Sequence, residues 1–358
     1  RLTHTALQRG SVALEAPADQ IEEPDALRRV DGESVYRVAR STWHTSRRVL
    51  AAEHRLIEAA ARTGGFAAGT VAVDTALLEA EANGVPLNAG QVALVRQMAT
   101  SGARLQLAIA PAGSGKTTAM RALSDAWRNG GGTVIGLAPS AAAAAQLGTQ
   151  IDTHTDTMAI LTHALGNGRP LPSWAEQVGP TSLLIIDEAG MADTLSLDQI
   201  VTFALDRGAS VRLIGDDQQL AAIGAGGVLR DIATRHGALH LNELVRFADP
   251  AEGAASLALR DGDTAALGFY LDHRRVHVGD QTGCVEAVFA AWIDDRSASL
   301  DALMLAPTRA LVADLNARAQ THLHPAADGP SIALADGNTA RIGDVVITRS
   351  NDRRLRVT

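Results

Sequence analysis

Lys116 stands behind two glycines and ahead of two hydroxyls in the run Ala110-Pro111-Ala112-Gly113-Ser114-Gly115-Lys116-Thr117-Thr118. That order of residue types builds a phosphate-binding loop. Gly113 and Gly115 let the backbone turn its N–H groups toward phosphate oxygens, with Ser114 between them, and the helix that follows adds partial positive charge at its first turn. Lys116 then reaches the terminal phosphates, Thr117 ligates Mg2+, and Thr118 closes the loop. Ala110 departs from the usual pattern, which begins with glycine, so the first turn has to be made without a left-handed residue there.

More reactive groups follow downstream. Asp187 and Glu188 are adjacent carboxylates, one suited to the shell of a Mg2+ ion and one to polarising an attacking water. Gln219, in Gly215-Asp216-Asp217-Gln218-Gln219-Leu220, can hydrogen-bond a terminal phosphate or that water and change partners after hydrolysis. Arg246, in Leu241-Asn242-Glu243-Leu244-Val245-Arg246, is a candidate arginine finger carried by a second lobe, a role worth about 10³ to 10⁵ in rate. Upstream, the Gln91 amide can donate to and accept from one edge of an adenine. A solvated helix residue is the plainer reading of Gln91, and a surface arginine that of Arg246.

These groups act together only if the fold carries them to one edge. Leu105–Ile109 ahead of the loop is a short apolar run suited to a buried strand, and Met120, Leu123 and Trp127 behind it recur at helical spacing up to Gly130-Gly131-Gly132. Thr133–Ala138 is a second such strand, followed by Pro139, Ser140 and an alanine-rich stretch. Ser182–Ile186 ends in the two carboxylates and Val211–Ile214 ends in the glutamine cluster. Gly224, Gly226 and Gly227 then form a flexible connection to Val228–Ile232. Strand, loop and helix in repetition predict an α/β fold with a parallel sheet, helical crossovers and ligands at the C-terminal strand ends.

The composition sets outer limits. At 358 residues and 46% apolar content the chain has room for two or three domains with proper cores. No run of 18 uncharged apolar residues and no signal peptide occurs, and the single cysteine, Cys284, excludes an internal disulfide framework. A cytoplasmic protein without membrane insertion is expected. A net charge of −8 and 3% aromatic residues argue against a broad basic patch or a ladder of stacking rings. They leave open a motor that grips a strand through amides, hydroxyls and a local channel. The start at Arg1 without methionine reads as part of something longer.

The rest of the chain is read by pattern. Arg47–Ala60 places Val49, Leu50, Ala52, Leu56, Ile57 and Ala60 near one helical face, so residues 1–85 are expected to form a mainly helical accessory domain. His44 and His54 read as surface residues. Another helix begins at Leu87–Gln91 and runs through Val92, Leu94, Val95 and Met98. Ser140, Thr157 and Thr308 sit at strand or loop ends where hydroxyls can touch a nucleic-acid backbone; as isolated residues they are more often helix caps. Asp301–Ala306 reads as a buried strand feeding a helix with Leu311, Val312, Leu315 and Ala319 inward. A linker follows His324, and residues 341–358 read as strands. His322-Leu323-His324, His273 and His277 lack the further ligands of a metal site.

The ordered set Ala110–Thr117, Ala138-Pro139-Ser140, Asp187-Glu188-Ala189-Gly190-Met191, Gly215–Leu220 and Leu241–Arg246 resembles superfamily 1 DNA helicases over about residues 85 to 320. The likeness is greatest to the RecD-type branch, above all the helicase part of conjugative relaxases. It implies a P-loop RecA-like parallel-sheet domain (86–240), part of a second RecA-like lobe (241–325) and the start of a β-barrel-like insertion (326–358). It also implies two lobes closing on ATP with Mg2+ and 5′→3′ movement on single-stranded DNA. The two last motifs of such a second lobe do not occur before Thr358, so this chain is expected to bind ATP and to lack full unwinding competence. A nicking domain, with its tyrosine and histidine cluster, is expected upstream in the parent chain. Two alternatives are a single-stranded-DNA-binding scaffold without productive unwinding and a RecD-like repair helicase. A P-loop kinase or small-molecule NTPase is disfavoured by Gly215–Leu220 and the second lobe.

Overall fold

The computed structural model describes residues 10–14, 43–216, 218–219, 227–325, 329–334 and 337–346. Asp217 and Leu220 of the glutamine cluster, Gly224 and Gly226 of the expected flexible connection, and residues 347–358 of the expected strands lie outside them. The chain divides into two compact units, Arg1–Gly253 and Ala254–Thr358.

The first unit opens with strand β1 (Ser11–Leu14), paired antiparallel to β2 (Trp43–Ser46). Ser46 caps helix α1 (Arg47–Ala60) by accepting from the Val49 N–H. Helices α2 (Thr70–Ala82) and α3 (Ala89–Thr100) follow, then β3 (Leu105–Ile109) and α4 (Lys116–Asn129). The alternation continues with β4 (Thr133–Ala138), α5 (Ala141–Ile151), β5 (His154–Thr157), α6 (Met158–Gly166) and the short α7 (Ser173–Glu176). Next come β6 (Ser182–Ile186), a 3-10 turn at Ala189–Met191, α8 (Thr194–Asp206), β7 (Ser210–Gly215), α9 (Val228–His236) and β8 (Leu239–His240).

Strands β3 to β8 make one parallel sheet in the order β5-β4-β6-β7-β3-β8. The two-residue period of a strand explains its two cores. Leu105, Leu107, Leu184, Ile186, Val211 and Leu213 face one side, while Ala108, Leu183, Ile185 and Ile214 face the other. A strand buried on both faces needs apolar residues at every position, which is why these segments read as continuous runs.

The accessory helices are not a body apart. Leu56 and Ile57 of α1 join the core on one face, beside α8 and α9, and the α1 residue Arg55 makes a bidentate pair with Asp198 of α8 at 2.9 and 2.6 Å. Val73 and Ala76 of α2 join the core on the other face against α4, where Phe66 and Trp127 meet at 5.0 Å between ring centres. An amphipathic helix of this length has no partner for its apolar face within residues 47–82 alone, so it takes the sheet's helices instead.

Helix α10 (Pro250–Arg260) crosses the boundary between the units. The second unit continues with α11 (Leu267–Asp272), α12 (Gln281–Ser297), α13 (Arg309–Leu323) and a hairpin of β9 (Ser331–Ala333) and β10 (Thr339–Arg341). The hairpin begins ahead of the expected residue 341. The helix expected after Thr308 is present as α13, with Leu315 buried and Val312 39% exposed. The buried strand expected at 301–306 does not form: Leu303 and Leu305 are 84% and 80% exposed, and the segment pairs with no strand among the described residues. An apolar run becomes a strand only where a neighbour takes its backbone groups. His322 packs edge-on to Phe289 and Trp292, and His273 stacks on Phe269. No helix among the described residues is long and apolar enough to cross a membrane.

Candidate active site

The site lies at the C-terminal end of the parallel sheet, where β3, β6 and β7 release their loops. Ala110 continues the β3–β7 pairing, its N–H donating to Gly215 O at 2.9 Å. It is buried and is not among the residues with positive φ, so the turn tolerates its methyl group. The left-handed residues are Gly113 (φ 85°) and Gly115 (φ 73°), and Gly115 caps α4. Ser114 is 1% exposed, and its hydroxyl has no hydrogen-bond partner among the described residues.

Lys116 opens α4 with its ammonium 3.3 Å from Asp187 Oδ1 and hydrogen-bonded to Glu188 Oε1. Burial pushes that ammonium toward neutrality, but the Asp187 charge and the Glu188 hydrogen bond outweigh it and leave the pKa raised. Thr117 and Thr118 follow in the first turn of α4.

The Asp187 N–H donates to Leu137 O of β4 at 2.9 Å, which holds the carboxylate at the strand tip. Glu188 is left-handed, φ 50° and ψ 38°, a rare conformation for a side-chain-bearing residue. The turn behind it presses on the end of β7. A Cβ on Gly190 would lie 2.8 Å from Asp216 O, and one on Gly215 would lie 2.9 Å from Gly190 N, so only glycine allows the two carboxylate-bearing loops to interlock. Asp216 is buried and accepts from the Gln218 N–H at 3.1 Å. Gln219 is exposed, with its N–H 3.4 Å from Asp216 O, beside a cavity of about 230 Å³ lined by Gly190, Leu197, Asp216 and Val228.

Gln91 is buried and forms a capping box with Asn88: each residue's side-chain oxygen accepts from the other's N–H at 2.9 Å. Its Nε2 donates to Gly115 O at 3.1 Å. The amide expected to read adenine is thus engaged at both ends, holding the phosphate loop, and would meet a base only by exchanging partners.

Arg246 requires a correction. It belongs to the first compact unit, not to a second lobe, because the chain after β8 runs back across the phosphate loop. Val245 and Arg246 both donate their N–H groups to Gly113 O, at 2.8 and 3.2 Å, and a Cβ on Gly113 would lie 2.8 Å from Arg246 Cβ. The Val245 donor escaped the sequence reading because a backbone N–H has no residue-type signature.

The three hydroxyl candidates all sit at helix N-termini. Ser140 accepts from the Ala143 N–H at 3.2 Å to cap α5, and Thr308 accepts from the Leu311 N–H at 3.3 Å to cap α13. A capping hydroxyl still has its own O–H to donate. Thr157 precedes α6 without a side-chain cap bond. Ala138 pairs with Thr157 in the β4–β5 register, which sets Ser140 and Thr157 on neighbouring strand ends of one sheet edge. Thr308 belongs to the other unit.

The donor set suits a magnesium-bound nucleoside triphosphate. Left-handed glycines, an ammonium and an unpartnered buried hydroxyl match phosphate oxygens, and the Thr117 hydroxyl with the Asp187 carboxylate matches a hard cation.

Residues 86–281 match the AAA domain family (AAA_30). The chain is 31% identical over 260 residues to the conjugal transfer protein TraA of Rhizobium radiobacter, a match covering 71% of this chain and 23% of that protein. It is 30% identical over 262 residues to the TraA of Agrobacterium fabrum strain C58, with the same two coverages, 71% and 23%. The chain thus spans about a quarter of the length of these curated relatives. Among solved structures it is similar to Pif1 helicases on forked dsDNA, at 21% identity, TM-score 0.39 and 57% of each chain. It is also similar to Bacteroides Pif1 bound to ssDNA, at 20% identity, TM-score 0.38, 57% of this chain and 56% of that one.

Proposed function

We propose that this chain, which belongs to the AAA domain family (AAA_30), is a superfamily 1, RecD-type helicase module related to conjugative relaxases that binds and hydrolyses ATP to drive movement on single-stranded DNA. The observation that carries the reading is Lys116 held between Asp187 and Glu188 at the mouth of a two-glycine loop.

In this reading Lys116 leaves the carboxylates and compensates the terminal phosphates, while Gly113, Ser114, Gly115 and Thr118 line the loop. Thr117 and Asp187 hold Mg2+, which, when bound, neutralises charge developing on the phosphates. Glu188 orients and polarises the attacking water. Gln219 senses the terminal phosphate from the tip of β7, Arg246 steadies the charge of the transition state, and Gln91 supports the loop or the base. Ser140 and Thr157 face the DNA backbone from one sheet edge, and Thr308 does so from the second unit. Direction 5′→3′, a cytoplasmic setting and a parent protein joining this motor to a relaxase nicking domain in conjugation belong to the same proposal.

The test is ATP hydrolysis by the whole chain with and without a single-stranded oligonucleotide, across a salt series. Stimulation that falls with rising salt is expected, because strand binding releases counterions. Hydrolysis indifferent to DNA would contradict a motor and favour a small-molecule NTPase.

A further inference from the structure

We propose that Val245 is a positioning residue of the phosphate loop, its N–H holding the Gly113 carbonyl so that the loop and Arg246 keep one geometry. The inference rests on the reading of this loop as an ATP site.

The segment 242–247 is not held by burial. Val245 is 55% exposed and Arg246 is exposed, although Leu241 just before them is 2% exposed and anchored by its N–H to Ile109 O at 3.0 Å. What fixes the exposed part is backbone. Gly113 O accepts from both Val245 N–H and Arg246 N–H, at 2.8 and 3.2 Å, which uses both lone pairs of that carbonyl.

The contacts also explain the glycines from outside the loop. A Cβ on Gly113 would lie 2.8 Å from Arg246 Cβ, an atom fixed to the backbone that cannot swing aside. A Cβ on Gly115 would lie 3.2 Å from Val245 Cγ2. The same strap therefore covers both left-handed positions, while Gln91 Nε2 holds Gly115 O from α3. A loop whose N–H groups must already point at phosphate when nucleotide arrives gains from such outside support, because reorganisation would otherwise oppose binding.

The strap also has a forward connection. Asp249 Oδ1 accepts from the Ala251 N–H at 2.8 Å at the start of α10, the helix that crosses into the second unit after Gly253. The stretch from Val245 to Gly253 thus leads along the chain from a hydrogen bond on the phosphate loop to the end of the first unit.

The test uses the full chain and ATP turnover. Val245→Pro removes the N–H and is expected to raise KM for ATP about five- to tenfold, with Val245→Ala, which restores the donor, rescuing it. The kcat loss caused by Arg246→Ala should shrink in the Val245→Pro background, since an arginine already misplaced has less to lose. Val245→Pro with a KM equal to that of Val245→Ala, while Lys116→Ala still abolishes turnover, overturns the positioning role and leaves the ATP site standing. Turnover that survives Lys116→Ala overturns the site itself. Should Val245→Pro fail to fold, amide exchange on the unsubstituted chain decides: Val245 and Arg246 exchanging at least tenfold more slowly than exposed Glu243, with rates that change on adding Mg-ADP, supports the strap, and rates equal to Glu243 overturn it.

Discussion

The Lys116 ammonium lies 3.3 Å from Asp187 Oδ1 and is hydrogen-bonded to Glu188 Oε1, so the cation proposed to meet phosphate is paired with the carboxylates proposed to serve metal and water. On the proposed function, nucleotide binding has to replace that pairing.

Lys116→Ala leaves two neighbouring carboxylates uncompensated and removes the charge proposed to meet the terminal phosphates. Steady-state ATP turnover is expected to fall by about 10²- to 10³-fold or more. The pH dependence follows from the sign of the shift. The ammonium pKa is raised above the ordinary lysine value of 10.5 despite burial, because Asp187 and Glu188 favour the charged form. The pair's contribution to stability is therefore complete at neutral pH and is lost only as pH rises through that raised value. Turnover unchanged in Lys116→Ala would sink the site assignment.

Glu188→Gln keeps size and hydrogen bonding while removing the charge proposed to polarise water. Nucleotide binding, followed by titration with a fluorescent analogue, should persist, and turnover should fall by about 10²- to 10⁴-fold. Loss of binding would instead assign Glu188 to holding the left-handed turn at φ 50°.

Arg212 is a buried cation on an apolar face of the sheet. It donates to Met98 O at 3.2 and 2.7 Å, to Ala103 O at 2.9 Å and to Val211 O at 3.0 Å. Burial pushes its pKa down to about 9, so it is still protonated at neutral pH. Arg212→Met leaves the carbonyls of Met98, Ala103 and Val211 without this donor and is expected to cost about 1 to 3 kcal/mol, read as a lower denaturant midpoint at constant m-value. An unchanged midpoint would mean those carbonyls find other donors.

Asp344 ties the hairpin of the second unit to α13. It accepts from Gln320 Nε2 at 2.9 Å and from the Arg341 N–H at 2.8 Å, and it pairs with His324 Nε2 at 2.8 Å. The Gln320 hydrogen bond first, then those of Arg341 and His324, lower its pKa from 3.8 to about 2. A lowered carboxylate pKa contributes stability above the unfolded value that is lost as pH falls toward the folded one. Amide exchange at Arg341 should therefore speed up between pH 3.8 and about 2 after correction for intrinsic rates. In Asp344→Asn that extra acceleration should vanish; its persistence would place the acid-sensitive contact elsewhere.

Much of the site was legible because it is local. A phosphate loop needs its glycines, lysine and threonine within a few residues, and strands buried on both faces announce themselves as apolar runs, so Leu105–Ile109, Thr133–Ala138 and Ser182–Ile186 form strands with the bounds read from the sequence. Helix Arg47–Ala60 was legible by its amphipathic period. The apolar run at 301–306 misled, because forming a strand depends on a partner that the run itself does not contain.

What the amino-acid order determined by itself was the inventory: which groups can meet phosphate, metal and water, and on which strand tips they stand. Only the tertiary structure decided who holds them. The strand order that sets β7 between β6 and β3, the turn of Gln91 toward Gly115, and the return of Val245 and Arg246 onto Gly113 all join residues far apart in the chain. Most of those contacts end on backbone N–H and C=O groups. Every residue type but proline carries the same such pair, so no residue pattern could foretell them.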